Sequence, residues 1–246
     1  MSLESGIAEL TSAANSLIAY FNSRKASIDA AVTDALLAIP NNKKVYYVDN
    51  VAGSDANTGK LASPFKTIDK AVASTPYGGS CQAVLLSDYI FDTDTSLDGI
   101  SLFITSSVPG TKRKLMVRNY FNSTSNTNWM AALLMLAGSA VTFKDVSLNF
   151  PTVTGLTNPP LGGPNTFFRG SVSGQSPLVQ VKLLDCEIVD ASGATALLAY
   201  SPTSALLLEV YNTTFPSGFA GRYVFGLAAG AQSNAQSNVL TNLTTF

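Results

Sequence analysis

Val141-Thr-Phe-Lys-Asp145-Val-Ser-Leu-Asn-Phe150 is the stretch whose reading decides the fold. Two later stretches align with it without a gap: Val181-Lys-Leu-Leu-Asp185-Cys-Glu-Ile-Val-Asp190 and Leu208-Glu-Val-Tyr-Asn212-Thr-Thr-Phe-Pro-Ser217. Each sets two apolar residues, two apart, ahead of an Asp or Asn, with another apolar residue three positions after it. Asp and Asn tolerate left-handed backbone, and their side chains bond nearby peptide groups, so positions 145, 185 and 212 read as bends between alternating strands. Strand, bend, strand is one coil of a parallel β-solenoid, whose repeats recur every ~20–50 residues and carry insertions as loops. The offsets of 40 and 27 between the bends predict coils with loops of unequal length, Pro159-Pro-Leu-Gly-Gly-Pro164 being one.

Outward from these repeats, further short apolar runs occur at Gln82–Leu86, Tyr89–Phe91, Ser101–Thr105, Lys114–Val117, Met130–Leu136 and Ala196–Tyr200. Gly, Ser, Asn and Pro punctuate them and helical periodicity is absent, which predicts an all-β body. Upstream, Val45–Ser74 reads as a strand to Val48, a turn from Asp49 to Gly59, and a helix from Pro64 to Ser74. Pro64 suits a first helical turn, and Ile68, Ala71 and Val72 form its apolar stripe. An open solenoid end exposes unpaired strand edges, so this helix is expected to cover one end. The polar tail from Gly230 to Phe246 is expected to pair with neighbouring chains at the other.

Residues 3–39 carry a different pattern. Leu3, Leu10 and Leu17 recur every seven residues, as do Ile7, Ala14, Phe21, Ile28 and Ala35, giving the 3–4 spacing of a coiled coil. Arg24 interrupts the seam, Val32, Leu36 and Ile39 continue a shifted stripe, and Pro40, Asn41 and Asn42 stop the helix. A lone amphipathic helix packed on its own domain is the alternative, but the segment has no residues left over for a second apolar face. The seam residues do not decide between two and three strands.

Composition excludes much chemistry. There is no histidine, so a Ser-His-Asp triad, a Cys-His dyad and His-ligated zinc cannot form within this chain. Charged residues make up 13%, about half the share of an ordinary soluble domain, so much of the surface is expected to lie against other chains or under Ser, Thr and Asn. The net charge of −1 offers no field for nucleic acid or an anionic membrane. The basic run Lys112, Arg113, Lys114 and Arg118 follows a Pro-Gly turn and reads as a solvated hairpin. Cys81 and Cys186 lie in apolar runs and read as buried free thiols, in keeping with synthesis in a cytoplasm. The start has no signal-peptide pattern, and the longest apolar run, Met130–Ala137, is too short to span a bilayer.

Glycoside hydrolysis needs two facing carboxylates, and Asp185, Glu187 and Glu209 are the candidates in the repeats. Their offsets put them on different strands around the bend, where structural roles are the competing reading. Asp88-Tyr-Ile-Phe-Asp92-Thr-Asp94 with Asp98 lacks calcium-loop spacing, as does Asp49–Gly59, so no metal and no cofactor are expected. Tyr120, Phe121, Trp129, Phe167 and Phe168 are candidates for a sugar-stacking platform or for packing under loops and between subunits.

Tyr47-Val48-Asp49, Gly53-Ser54-Asp55, Asn57, Gly59, Ser63-Pro64-Phe65-Lys66-Thr67-Ile68 and Lys70-Ala71 together resemble the opening of right-handed parallel β-helix domains in bacteriophage tailspikes and tail fibres. The same opening occurs in polysaccharide lyases and other carbohydrate-active β-helix proteins. The coiled-coil segment ahead of it is similar to the stem of phage tail-fibre chains. The resemblance implies a mainly β fold: a coiled-coil stem (1–40) for trimerisation and attachment, a capping strand-turn-helix (41–76), and a short β-helix body with a polar tail (77–246). It implies a homotrimeric virion protein, made in the host cytoplasm, that docks other tail proteins through its stem and meets host surface glycans, with no nucleic-acid or membrane partner. Leu3, Ile7, Leu10, Ala14, Leu17, Phe21 and Ile28 are then the oligomerisation residues. A tailspike that hydrolyses surface polysaccharide is the alternative, and a secreted adhesin a third. Roughly six coils of ~25 residues are expected, short for a long sugar groove.

Overall fold

The structure, a computed structural model, describes residues 2–170 and 177–246, the side chains of 37–41 excepted. The chain divides into two units, Met1–Asn42 and Lys43–Phe246. The first is one helix, α1 (Leu3–Asn41), which ends two residues beyond the expected stop at 39. Its large seam residues Leu3, Ile7, Leu10, Leu17, Phe21 and Ile28 are 55–82% exposed. The side chain of Ile39, read as the end of the stripe, lies outside the described residues, as do those of Pro40 and Asn41. Among the described residues no helix is long and apolar enough to cross a membrane.

The second unit is a parallel β-helix. After β1 (Lys43–Val48) and the short α2 (Ile68–Ala73) comes a first coil of β2 (Ser80–Leu85), β3 (Tyr89–Phe91) and β4 (Thr95–Leu97). The second coil holds β5 (Ser101–Ser106) and β6 (Arg113–Val117), an inserted hairpin β7 (Asn119–Asn122)–β8 (Thr127–Met130), and β9 (Leu133–Met135). The third is β10 (Ala140–Lys144), β11 (Val146–Phe150) and β12 (Thr166–Gly170); the fourth is β13 (Leu178–Leu184), β14 (Glu187–Asp190) and β15 (Leu197–Tyr200). β16 (Ala205–Tyr211) and β17 (Val239–Thr241) end the stack. Three parallel sheets result, ordered β1-β2-β5-β10-β13-β16-β17, β3-β6-β11-β14 and β4-β9-β12-β15.

The repeat alignment is the strand register. Val141 lies opposite Val181, and Val181 opposite Leu208, which are the offsets of 40 and 27 read from the sequence. All three bend residues are left-handed, with φ of 54° at Asp145, 51° at Asp185 and 45° at Asn212. Asn212 Nδ2 donates to Asp185 Oδ1 at 2.7 Å, so stacked bends brace each other. Apolar residues stack into columns along the interior, such as Cys81–Leu102–Val141–Val181–Leu208. Cys81 and Cys186 are buried free thiols, and burial pushes Cys186 up to about 11.

Four expectations are corrected. Against the roughly six coils expected, four have full strands on all three sides among the described residues, and a fifth, begun by β16, meets β14 and β15 through the single bridges Glu187–Thr214 and Ala199–Val224; the β7–β8 hairpin and the 151–165 loop absorb chain without adding rungs. The helix expected from Pro64 begins at Ile68, capped by the Thr67 hydroxyl, which accepts from Lys70 N–H. Phe65 is instead buried beside β1, its N–H and C=O tied to Tyr47 and Asp49, so the backbone stays extended past Pro64. The tail does not wait for a neighbouring chain: β17 pairs with β16, and Phe246 is buried in the core. Met130–Leu136, read as one strand, is broken between β8 and β9.

α2 lies against β1, β2 and β4, and its stripe Ile68, Ala71 and Val72 is buried, covering the first coil. The residues carrying the family resemblance act structurally here. Asp55 accepts the N–H groups of Lys66 and Thr67 and the Thr67 hydroxyl. Asp49 accepts from Val51, Ala52 and Ser87. A Cβ at Gly53 would collide with the Phe65 carbonyl.

Candidate functional site

On the outer face of the third sheet, Ser96, Leu134, Arg169 and Tyr200 form one row across β4, β9, β12 and β15. Two insertions wall this row. Trp129 comes from the β7–β8 hairpin, and Gly163 and Pro164 from the loop ahead of β12. Between them lies a cleft of about 330 Å³, lined mostly by apolar side chains, with Leu134 on its floor and Tyr200 at one end.

Arg169 holds these walls together. Its Nη1 pairs with Asp94 at 3.1 Å, its Nη2 donates to the carbonyls of Met130 (2.8 Å) and Pro164 (3.2 Å), and its Nε to that of Gly163 (3.0 Å). Its guanidinium lies 4.9 Å from the Trp129 ring centre. Asp94 is the other anchor: Oδ1 accepts Ala132 N–H, and Oδ2 accepts the Tyr120 hydroxyl as well as Arg169. Burial first, and the Asp94 charge second, push the Tyr120 phenol up to about 12. The hairpin is braced from its far side, where Asn128 donates to the carbonyls of Thr157 and Asn158. Tyr200 is held edge-on by Phe225, with ring centres 5.2 Å apart, and a Cβ at Gly163 would lie 3.0 Å from the Tyr200 ring.

A rigid aromatic wall, an apolar floor and an already paired ion pair suit a ligand with an apolar face and hydroxyls at its rim. Asp94 accepts three hydrogen bonds on its two oxygens and pairs with Arg169, so within the cleft it acts as an anchor for the walls.

The sequence candidates fall elsewhere. Asp185 lies at its bend and accepts from Asn212; the shallow cleft beside it is lined by Lys112, Lys144 and Asp145. Glu187 begins β14, on the second sheet, where it accepts the Ser147 hydroxyl at 3.3 Å. Glu209 lies on the seven-stranded sheet, paired with Lys182 at 2.8 Å. The structure does not gather these three into one cleft. Phe167 and Phe168 are fully buried in an aromatic cluster with Phe91, Phe143 and Phe150, so they are core. Of the aromatic candidates, Trp129 lines the cleft, Tyr120 supports it from behind, and Phe121 stands exposed on the hairpin. Arg169 and Tyr200 escaped the sequence reading as site residues. The one available signal was an arginine inside the apolar run Thr166-Phe-Phe-Arg-Gly170. Among the described residues no three Asp, Glu or Cys side chains come together as a metal site. No protein-family model, curated protein or solved structure matches the chain.

Proposed function

We propose that this chain is a structural component of a phage virion, a homotrimeric tail fibre or short tailspike. Its helix is the stem that assembles the trimer and docks other tail proteins, and its β-helix is the body presented to the host surface. The observation that carries the reading is the bare heptad seam of α1, whose large apolar side chains find no cover within the helix's own unit. Burying six such residues, each now more than half exposed, contributes about 1–2 kcal/mol apiece. Ile18 and Val32 beside the seam on one side, and Tyr20 on the other, are also more than half exposed. They widen the apolar stripe beyond two residues per heptad, which favours three strands over two. In this reading the Trp129–Tyr200 cleft is the contact for a host surface glycan, since ring faces stack on sugar C–H faces.

The test is the mass of the purified protein by light scattering, with and without residues 1–40. A trimer that falls to a monomer on truncation supports the reading. A full-length monomer at about 10 μM, where a coiled coil of this seam length should be assembled, refutes it.

A further inference from the structure

We infer that Arg24 sets the register in which the stem helices associate, holding copies of this chain parallel and unstaggered; the inference rests on the assembly proposed above. The seam from Leu3 to Ile28 is apolar at every position except Arg24. No acidic residue occurs from Tyr20 to Ile28, and among the described residues no carboxylate pairs with Arg24. Its contacts are with Tyr20, one turn back: Nε donates to the phenol oxygen at 3.1 Å, and the guanidinium lies 5.3 Å from the ring centre. The charge is thus led from the seam toward its flank along an aromatic face.

A pairing slipped by one heptad, or reversed over the Leu3–Ile28 seam, sets Arg24 against an apolar side chain in two layers instead of confining it to one. A slip of one heptad sets Arg24 of one chain at the level of Leu17 of its neighbour, and spoils two layers per pair. Reversing one helix over the Leu3–Ile28 seam sets Arg24 at the level of Ile7, again spoiling two layers. In the parallel, unstaggered arrangement all copies of Arg24 share one layer, and each head leaves the axis along its own Tyr20. The polar cost is then incurred once, which is how a single polar seam residue specifies register at some expense of stability.

Reversal has one attraction, because it carries Glu4 and Glu9 toward Lys25 and Arg24. Those charges are exposed to solvent and are screened beyond about 8 Å at physiological salt. The desolvation of a guanidinium in an apolar layer is not screened, so it decides the orientation.

The test uses the full chain carrying Ser2→Cys at the exposed start of the helix. The native thiols Cys81 and Cys186 are buried and do not compete. Light scattering is run first: a monomer takes away the assembly itself, and this inference with it. In an assembled protein, oxidation in a glutathione buffer is expected to link the introduced thiol of one chain to the introduced thiol of another. Adding Arg24→Leu is expected to raise the melting temperature of the helix and to lower the yield of that link about threefold or more, as slipped and reversed pairings enter. An assembled protein that forms no disulfide between the introduced thiols overturns the parallel arrangement. An Arg24→Leu protein with the same yield shows that another feature sets the register, and overturns the role of Arg24.

Discussion

Replacing Arg169 by alanine should release the cleft walls from the sheet. The substitution removes the 3.1 Å pair with Asp94 and the donors to the carbonyls of Met130, Gly163 and Pro164. The side chains of the pair are 8% and 18% exposed, so the full cost of breaking a buried pair, about 3–5 kcal/mol, is the reference. Asp94 keeps two donors, Ala132 N–H and the Tyr120 hydroxyl, which places the expected loss near the lower end, about 3 kcal/mol. For a β-helix of this size that is a fall of roughly 6–12 °C in Tm.

Trp129 is the single tryptophan and stacks on Arg169, so its fluorescence reports the hairpin directly. Urea unfolding followed by far-UV circular dichroism gives the global loss. The emission of the folded variant should shift to the red before unfolding begins. Arg169→Lys should recover little, because one ammonium cannot reach a carboxylate, the Met130 carbonyl on β8 and the Gly163 and Pro164 carbonyls of the loop ahead of β12 together. A loss below about 1 kcal/mol, the range of an exposed ion pair, together with unchanged emission would refute the assignment of Arg169 as the staple.

Three further outcomes are expected. Asp69, on α2, has its carboxyl pushed above the usual range, mainly by burial and further by Asp92 and Asp55. Folding therefore favours its protonated form, and the wild type loses stability as pH rises from the unfolded value of about 4 through the folded one. Asp69→Asn should raise Tm at pH 7 and change nothing near pH 3, as read by thermal melts at both. Tyr120 is raised in the same sense, so the stability it contributes is whole below about pH 10, where the unfolded phenol titrates, and declines toward pH 12; Tyr120→Phe should flatten that alkaline decline in denaturant titrations. Asp185→Ala should cost about 1–2 kcal/mol in urea unfolding because alanine resists φ of 51°, whereas Asp185→Gly should cost less; equal losses would mean that the Asn212 bond rather than backbone strain is what matters.

What the sequence determined by itself is whatever repeats along it. The bends at Asp145, Asp185 and Asn212 and the rungs between them were legible because each coil solves the same local problem, a turn that tolerates positive φ between strands with period-2 burial. The helix was legible from its heptads for the same reason. The cleft was not. Asp94, Trp129, Arg169 and Tyr200 come from four different coils, and no fixed spacing relates them, because insertions of unequal length separate the rungs. Asp94 reads from sequence as part of a run that misses calcium-loop spacing, and β12, the strand that holds Arg169, carries no strand signal of its own after the Pro159–Pro164 loop. Only stacking in the third dimension made one row of Leu134, Arg169 and Tyr200, and only the fold of the hairpin brought Trp129 over it. Local backbone preference is written residue by residue; proximity across coils depends on how much chain each insertion absorbs, and that is settled by packing.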